Sequence, residues 1–231
     1  MPVHLQTAIE NLKKKILALS AVVEENFKDS VKSISSRDYE LAKKVIDKDV
    51  EIDTLEVELE EECLKILALH QPVAIDLRFI IAVLKINNDL ERIGDEAVNI
   101  AERGAYLATR GPVGIEFSFD EMSRKVQFML QRSLDALVHL DPEIARKVCA
   151  LDDEVDEMNH DFFDRVKGAI RKDQANLDSL VHVLGISRHL ERIADHATNI
   201  AEDVIYMIEG IIARHHMKDY TLRSPRQTSI E

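Results

Sequence analysis

Apolar residues recur at three- and four-residue spacing along almost the whole chain, the period of an amphipathic helix. No alternating β-branched run and no hairpin turn interrupts the pattern, so strands are not expected. The spacing predicts six long helices. The first runs from about Leu5 to Ile34. The second follows Asp38, an N-cap residue, and reaches about Leu69. The third runs from a first turn holding Pro72 past Glu102 towards Thr109. A Gly111-Pro112-Val113-Gly114 cluster then breaks the pattern. Ser118 and Glu121 form a capping box for the fourth helix, which ends near Leu140. The fifth opens at Asp141-Pro142 and runs to about Ile170. The sixth opens within 173–178 and ends near Arg214. From His215 the period is lost and Ser, Thr, Pro and Arg accumulate, which predicts a disordered tail.

The pattern also repeats. Leu84–Glu102 matches Leu184–Glu202 at twelve of nineteen positions, with no gap. Asp38 and Asp141, at the starts of the second and fifth helices, are offset by 103 rather than 100, so the second copy is three residues shorter near the connection that Pro72 marks. The expectation is a tandem duplication. It gives an all-α fold of two tandem three-helix bundles, related by a pseudo-two-fold internal repeat. Residues 1–110 form the first bundle, 111–117 the linker, 118–214 the second bundle and 215–231 the tail.

Composition narrows the function. The formal charge is −13, and no basic stripe offers a surface to nucleic acid. The same charge disfavours an anionic lipid leaflet and suits basic partners and cations. No apolar run reaches the roughly 20 residues of a membrane span. The amino-terminal stretch has no apolar signal region, and the two cysteines, Cys63 and Cys149, lie within helical patterns as buried thiols. A cytoplasmic protein without membrane insertion is expected.

The candidate chemistry lies in four acidic pairs, Asp49/Asp53, Glu91/Asp95, Asp152/Asp156 and Glu191/Asp195. Each has i, i+4 spacing, which stacks two carboxylates on one helix face, where unpartnered like charges are destabilising. Pairs on neighbouring helices of one bundle can converge. Four carboxylates then favour hard or borderline cations bound through oxygen, as one ion or several. Acid pairs at this spacing are common on solvated helices, and it is their recurrence in both copies that raises the metal reading. Arg92 and Arg192 beside the glutamates offer the structural alternative, neutralisation by ion pairs. Asn99 and Asn199 continue the acidic stripe as further donors or supports. His182, His189 and His196 form a seven-residue seam that suits packing better than ligation, with His196 able to reach the Asp195 site. One Glu-x-x-His, Glu157/His160, lacks the second copy that a di-iron bundle needs. No nucleophile elbow, phosphate-cradling loop or zinc-protease motif is present, so no enzyme is expected.

Three stretches together resemble the PhoU family of phosphate-transport regulators: Gln71-Pro72-Val73-Ala74-Ile75-Asp76-Leu77-Arg78, Leu90-Glu91-Arg92-Ile93-Gly94-Asp95 and Ala197-Thr198-Asn199-Ile200-Ala201-Glu202-Asp203. The resemblance extends from about Leu5 to Gly210. It implies a cytoplasmic negative regulator of phosphate uptake and phosphate-starvation signalling. The partners it implies are the ATPase subunit of a phosphate ABC transporter and a sensor histidine kinase, with self-association as a homodimer. It also implies metal (Fe, Mn, Zn or Mg) on all eight acids, Asp49, Asp53, Glu91, Asp95, Asp152, Asp156, Glu191 and Asp195. Gly94 becoming Ala194 and Glu96 becoming His196 set the two sites apart. The competing readings are a carboxylate-bridged di-metal enzyme and a metal-free helical interaction scaffold.

Overall fold

A computed structural model describes residues 3–111, 119–172 and 174–210, with the side chain of Val3 left out. All of the regular structure among them is helical: α1 Val3–Ser36, α2 Tyr39–His70, α3 Ala74–Ala108, α4 Asp120–His139, α5 Pro142–Cys149, α6 Asp152–Lys172 and α7 Leu177–Glu209, with a 3-10 turn at Gln174–Asn176. No helix among the described residues is long and apolar enough to cross a membrane. The capping box at Ser118, most of the linker, the last residues expected of the sixth helix and the tail lie outside the described residues.

The caps work as their chemistry predicts. The Asp38 carboxylate accepts from the Leu41 N–H at 2.9 Å. Asp141 accepts from Glu143 N–H at 2.8 Å, with Pro142 at the first helical position. Three details differ from expectation. The last helix, α7, closes at Glu209 rather than near Arg214, because Gly210 caps it in the left-handed region, its N–H donating to the Tyr206 carbonyl. Pro72 lies before α3, whose N-cap is Val73, because Gln71 ends α2 in the left-handed region and leaves Pro72 in the turn. The expected fifth helix is split into α5 and α6 by a turn at Ala150-Leu151. Asp152, Asp153 and Glu154 then occupy the first turn of α6, where a helix amino terminus favours acids.

α3 and α7 are the axis of the molecule. α3 packs on α1, α2 and α7, and α7 packs on α3, α4, α5 and α6. One hydrophobic core runs through both halves, from Leu12, Phe27, Ile86, Leu90 and Ile93 to Val126, Leu130, Ile186, Leu190 and Ile193. Each such side chain, fully buried, contributes about 1.5–3 kcal/mol.

The α3–α7 contact is not purely apolar. His189 Nδ1 lies 2.5 Å from Glu96, and His196 Nδ1 lies 2.8 Å from Asp89. Arg192 reaches the other Glu96 oxygen at 2.9 Å, and Asn199 donates to Asp89 at 3.2 Å. At an offset of 100, Asp89 corresponds to His189 and Glu96 to His196, so the two acid–histidine pairs exchange under the repeat. Further along, Lys85 pairs with Asp203 at 3.0 Å. The corresponding place holds Gly185 and Arg103, and a Cβ on Gly185 would stand 2.5 Å from Arg103 Nε. The glycine is what lets the arginine lie there. His182 stacks on Tyr106 with ring centroids 3.8 Å apart, so the histidine seam packs against α3 as its spacing suggests.

Burial alone would raise the Glu96 carboxyl. The His189 hydrogen bond and the charges of His189, Arg192 and His196 more than offset this and hold it below its ordinary value. Its stabilisation is therefore present above the unfolded value of 4.5 and is lost as pH falls through the lower folded value. Replacing His189 by Ala leaves a buried carboxylate with Arg192 as its main partner. The variant is expected to lose about 2–4 kcal/mol at neutral pH, read by urea unfolding; a loss below about 0.5 kcal/mol would mean the pair contributes little.

Candidate functional site

Each acidic pair sits where its helix period places it, and neighbouring helices bring the pairs together two by two. Asp49 and Asp53 on α2 face Glu91 and Asp95 on α3. Burial raises Asp49 to about 6, and the charges of Asp53 and Asp95 add to this. Glu91 is raised by burial first, then by Asp95 against a partial offset from Arg92, and by Asp53 and Glu56. Glu56, also raised by burial and by Glu60 and Asp53, joins this cluster although the sequence pattern does not single it out. Its carboxylate accepts from the Asn87 amide at 3.0 Å. In the second half Asp152 and Asp156 on α6 face Glu191 and Asp195 on α7. Burial raises Asp195 to about 6, helped by Glu191, Asp152 and Asp156 and opposed by His196. Glu191 and Asp152 are raised too, in each case chiefly by burial. All eight acids thus fall into two clusters of four, one in each half.

The close approach of α2 to α3 depends on Gly94. A Cβ there would stand 3.2 Å from both the Cδ1 and the Cγ2 of Ile52, and 3.7 Å from an Asp49 carboxylate oxygen. In the second half Ala194 replaces the glycine, and the residue corresponding to Ile52 is Val155, one methylene smaller. Both valine and alanine there are buried. The Gly94-to-Ala194 difference, one carbon more, is thereby accompanied by one carbon less at the position equivalent to Ile52.

The two clusters are compensated differently. Arg92 lies 3.4 Å from Glu91 and 3.3 Å from Asp95 on its own helix. Arg192 instead crosses to Glu96. Asp152 stands at the amino terminus of α6 and accepts from the Thr198 hydroxyl at 3.1 Å. His196 pairs with Asp89, and Asn199 also donates to Asp89, so both belong to the seam. Between seam and cluster lies a cleft of about 1030 Å³ whose walls include Lys85, Asp89, Arg92, Asp152, Asp195 and His196. The residues that the sequence pattern did not assign to a site or seam pair are therefore Glu56, Asp89, Glu96 and Lys85. The one visible signal for Asp89 and Glu96 was the exchange of acid for histidine at an offset of 100; Lys85, which corresponds to Gly185, carried none.

The donor set of each cluster is carboxylate oxygen, which suits hard cations. The side chains form open fans rather than closed cages: among the described residues, no three His, Cys, Asp or Glu are arranged so as to hold a metal ion. Glu157 and His160 form no such centre, and His160 lies 3.9 Å from Asp164 on the exposed face of α6. Cys63 is buried and Cys149 partly so; burial pushes both thiols up to about 12, which leaves them inert as nucleophiles.

Comparison with known proteins matches the PhoU domain family twice, over residues 16–104 and 119–204. A phosphate-specific transport system accessory protein PhoU homolog of Aquifex aeolicus is 39% identical over 91% of this chain and 96% of its own length. Its namesake in Pseudomonas aeruginosa is 36% identical over 90% of this chain and 86% of its own length. Among solved structures, PhoU from Pseudomonas aeruginosa superposes with a TM-score of 0.87 at 35% identity, covering 89% of this chain and 99% of that one. The phosphate transport system regulatory protein PhoU from Streptococcus pneumoniae gives 0.83 at 28% identity, covering 90% and 98%.

Two measurements test this geometry. Asp49 and Asp195 are raised to about 6 in the fold from an ordinary value of 3.8. Stability is therefore lost as pH rises from about 4 to about 6, while these groups ionise among like charges. Asp49→Asn should flatten that fall and stabilise the protein at pH 7, on the order of 1 kcal/mol after allowing for solvent screening. An unchanged pH profile of unfolding would show that the cluster is not coupled. Separately, Gly94→Ala and Ile52→Val should be less harmful together than their sum, with a coupling of about 0.5–1 kcal/mol in a double-mutant cycle; strict additivity would refute the packing argument.

Proposed function

The chain belongs to the PhoU family, and we propose that it is a cytoplasmic, non-catalytic regulator of phosphate uptake and phosphate-starvation signalling. It lowers the activity of a phosphate ABC transporter through the ATPase subunit and restrains a sensor histidine kinase when phosphate is plentiful. The observation that supports this reading best is the match, along almost the whole chain, to accessory proteins of phosphate-specific transport systems. Self-association as a homodimer is part of the same reading.

Metal at the two acidic clusters is the second part of the proposal. Asp49, Asp53, Glu91 and Asp95 would hold one site, and Asp152, Asp156, Glu191 and Asp195 the other. The residues fit by donor chemistry, and burial together with neighbouring carboxylates opposes the ionisation of Asp49 and Glu91 in one site and of Asp152, Glu191 and Asp195 in the other. A bound Fe, Mn, Zn or Mg ion, or several, would supply the positive charge that lets all four carboxylates ionise together. The protein's own part is to hold the two helices at a fixed approach, in the first half with Gly94 against Ile52. In the first half the arrangement also favours a second reading, a metal-free scaffold, because Arg92 already pairs with both Glu91 and Asp95.

The regulatory reading is tested in cells lacking the protein and grown with ample phosphate. Phosphate uptake and a kinase-dependent reporter should both rise, and the wild-type chain should return them to the basal level. No change in either would refute it. For the metal, untagged protein should retain stoichiometric ions by plasma mass spectrometry. Glu91→Ala/Asp95→Ala and Glu191→Ala/Asp195→Ala should each remove one site's share, and chelation should lower the wild-type melting temperature. Metal-free protein with a melting curve indifferent to chelator would leave the scaffold reading.

A further inference from the structure

Along α6 and α7 the surface changes character within three turns. The acidic cluster of the second half opens onto a cleft of about 740 Å³ whose walls include Asp156, Glu191 and Asp195. Phe163 and Leu184 close that cleft and begin the next one. This is an apolar groove of about 300 Å³ lined by Phe163, Val166, Ile170 and Leu184, with Lys167 and Arg171 beside them. On α7 the apolar surface continues through Leu177 and Val181, which precede Leu184 by seven and three residues and are 44% and 52% exposed. Phe163 is 45% exposed. Contiguous apolar surface of this kind, edged by charge, marks an interaction site.

The internal repeat shows that this groove belongs to one half only. At the offset of 103, Phe163, Arg165, Lys167, Arg171 and Lys172 correspond to Glu60, Glu62, Leu64, Ala68 and Leu69. Residues 165–172 hold four cations and no acid, in a chain whose net charge is −13. A basic edge on an acidic protein selects an acidic partner.

We propose that the α6–α7 groove is the docking site for an amphipathic helix of a partner protein, one whose apolar face is flanked by acidic residues. The proposal rests on the docking role given above but not on metal at the acidic pairs. Phe163 and Ile170 stand seven residues, about 10 Å, apart along α6, with the buried Val166 beneath them as the floor of the groove. A helix laid in the groove meets this surface with anchors at i, i+4 and i+7. Its acidic flank then lies along Lys167 and Arg171. An anionic membrane fits less well, because a flat anionic surface broad enough to cover Lys167 and Arg171 also meets Asp156, Glu191 and Asp195 of the adjoining cleft, whereas a single helix along the groove stays beside the two cations.

Fluorescence anisotropy with the full-length protein, in the presence of chelator, tests this. The probes are three labelled helical peptides of about four turns with Leu at i, i+4, i+7 and i+11. Their flanking positions are Glu, Ser or Lys. The Glu peptide is expected to bind at least about tenfold more tightly than the Lys peptide. Lys167→Glu/Arg171→Glu should reverse that order, and Phe163→Ser should weaken binding of all three. These positions are exposed, so melting curves of the variants should follow the wild type. Absence of saturable binding, no preference by charge, or a preference unchanged by the reversal overturns the proposal. So does binding to phosphatidylserine vesicles, sensitive to the same reversal, without peptide binding. A failure of the regulatory reading would instead appear in the phosphate-uptake assay with this binding intact.

Discussion

The antiparallel register of α3 against α7 is the constraint on which the rest depends. Apolar packing between two long helices tolerates a slip of one turn better than polar pairing does. Here Asp89–His196 and Glu96–His189 are seven residues apart on each helix and exchange under the repeat. A slip breaks both at once and leaves carboxylates buried without partners, an outcome costing several kcal/mol. Register is one of the better attested uses of buried polar pairs, and it suits a seam that joins two halves of one core.

That register fixes where the acidic clusters can lie. On α3, Asp89 and Glu96 face α7, whereas Glu91 and Asp95 face α2. One helix therefore serves the seam with one face and the cluster with another, and α7 does the same with His189 and His196 against Glu191 and Asp195. The seam carboxylates are balanced by histidine and arginine, and Glu96 is held below its ordinary value. In the clusters, Asp49, Glu91, Asp152, Glu191 and Asp195 are raised by burial and by neighbouring carboxylates. Tolerated repulsion of this kind is what local consistency would remove unless it serves something else, which is why the clusters rather than the seam are read as the functional site.

Much of this was legible in the residues. The helical period and the Asp38 and Asp141-Pro142 caps each have one dominant physical meaning, and α2, α3, α4 and α5 open or close within a few residues of where those signals lie; the i, i+4 acids fix the helix face they share but not whether a cation or an arginine balances them. The break at Ala150-Leu151 was not legible, because Val148, Leu151 and Val155 keep an apolar spacing across it; the acids at 152–154 were the only hint of a new helix start. Pro72 has a place both in a first turn and in the turn before it, and the left-handed Gln71 decides between them. The seam pairs were hidden for a different reason. Among 43 acids, Asp89 and Glu96 look like any others until the helix facing them is known.

The two halves have kept their acids but not their surroundings, and that difference decides how each cluster can respond to a cation. At the first, Arg92 already bridges Glu91 and Asp95, so an arriving ion must displace an existing ion pair. At the second, Arg192 is committed to Glu96 across the seam, while Asp152 is supported by a helix amino terminus and by Thr198. Those supports are neutral dipoles, which remain in place as charge is added. The second cluster also borders the cleft between the halves and the groove along α6 and α7, whereas the positions corresponding to that groove's cations in the first half are Glu62, Leu64, Ala68 and Leu69. A duplicated fold thus places the same four carboxylates in two electrostatic settings, one with an arginine bridging two of its acids and the other opening onto surfaces that an ion or a partner can reach.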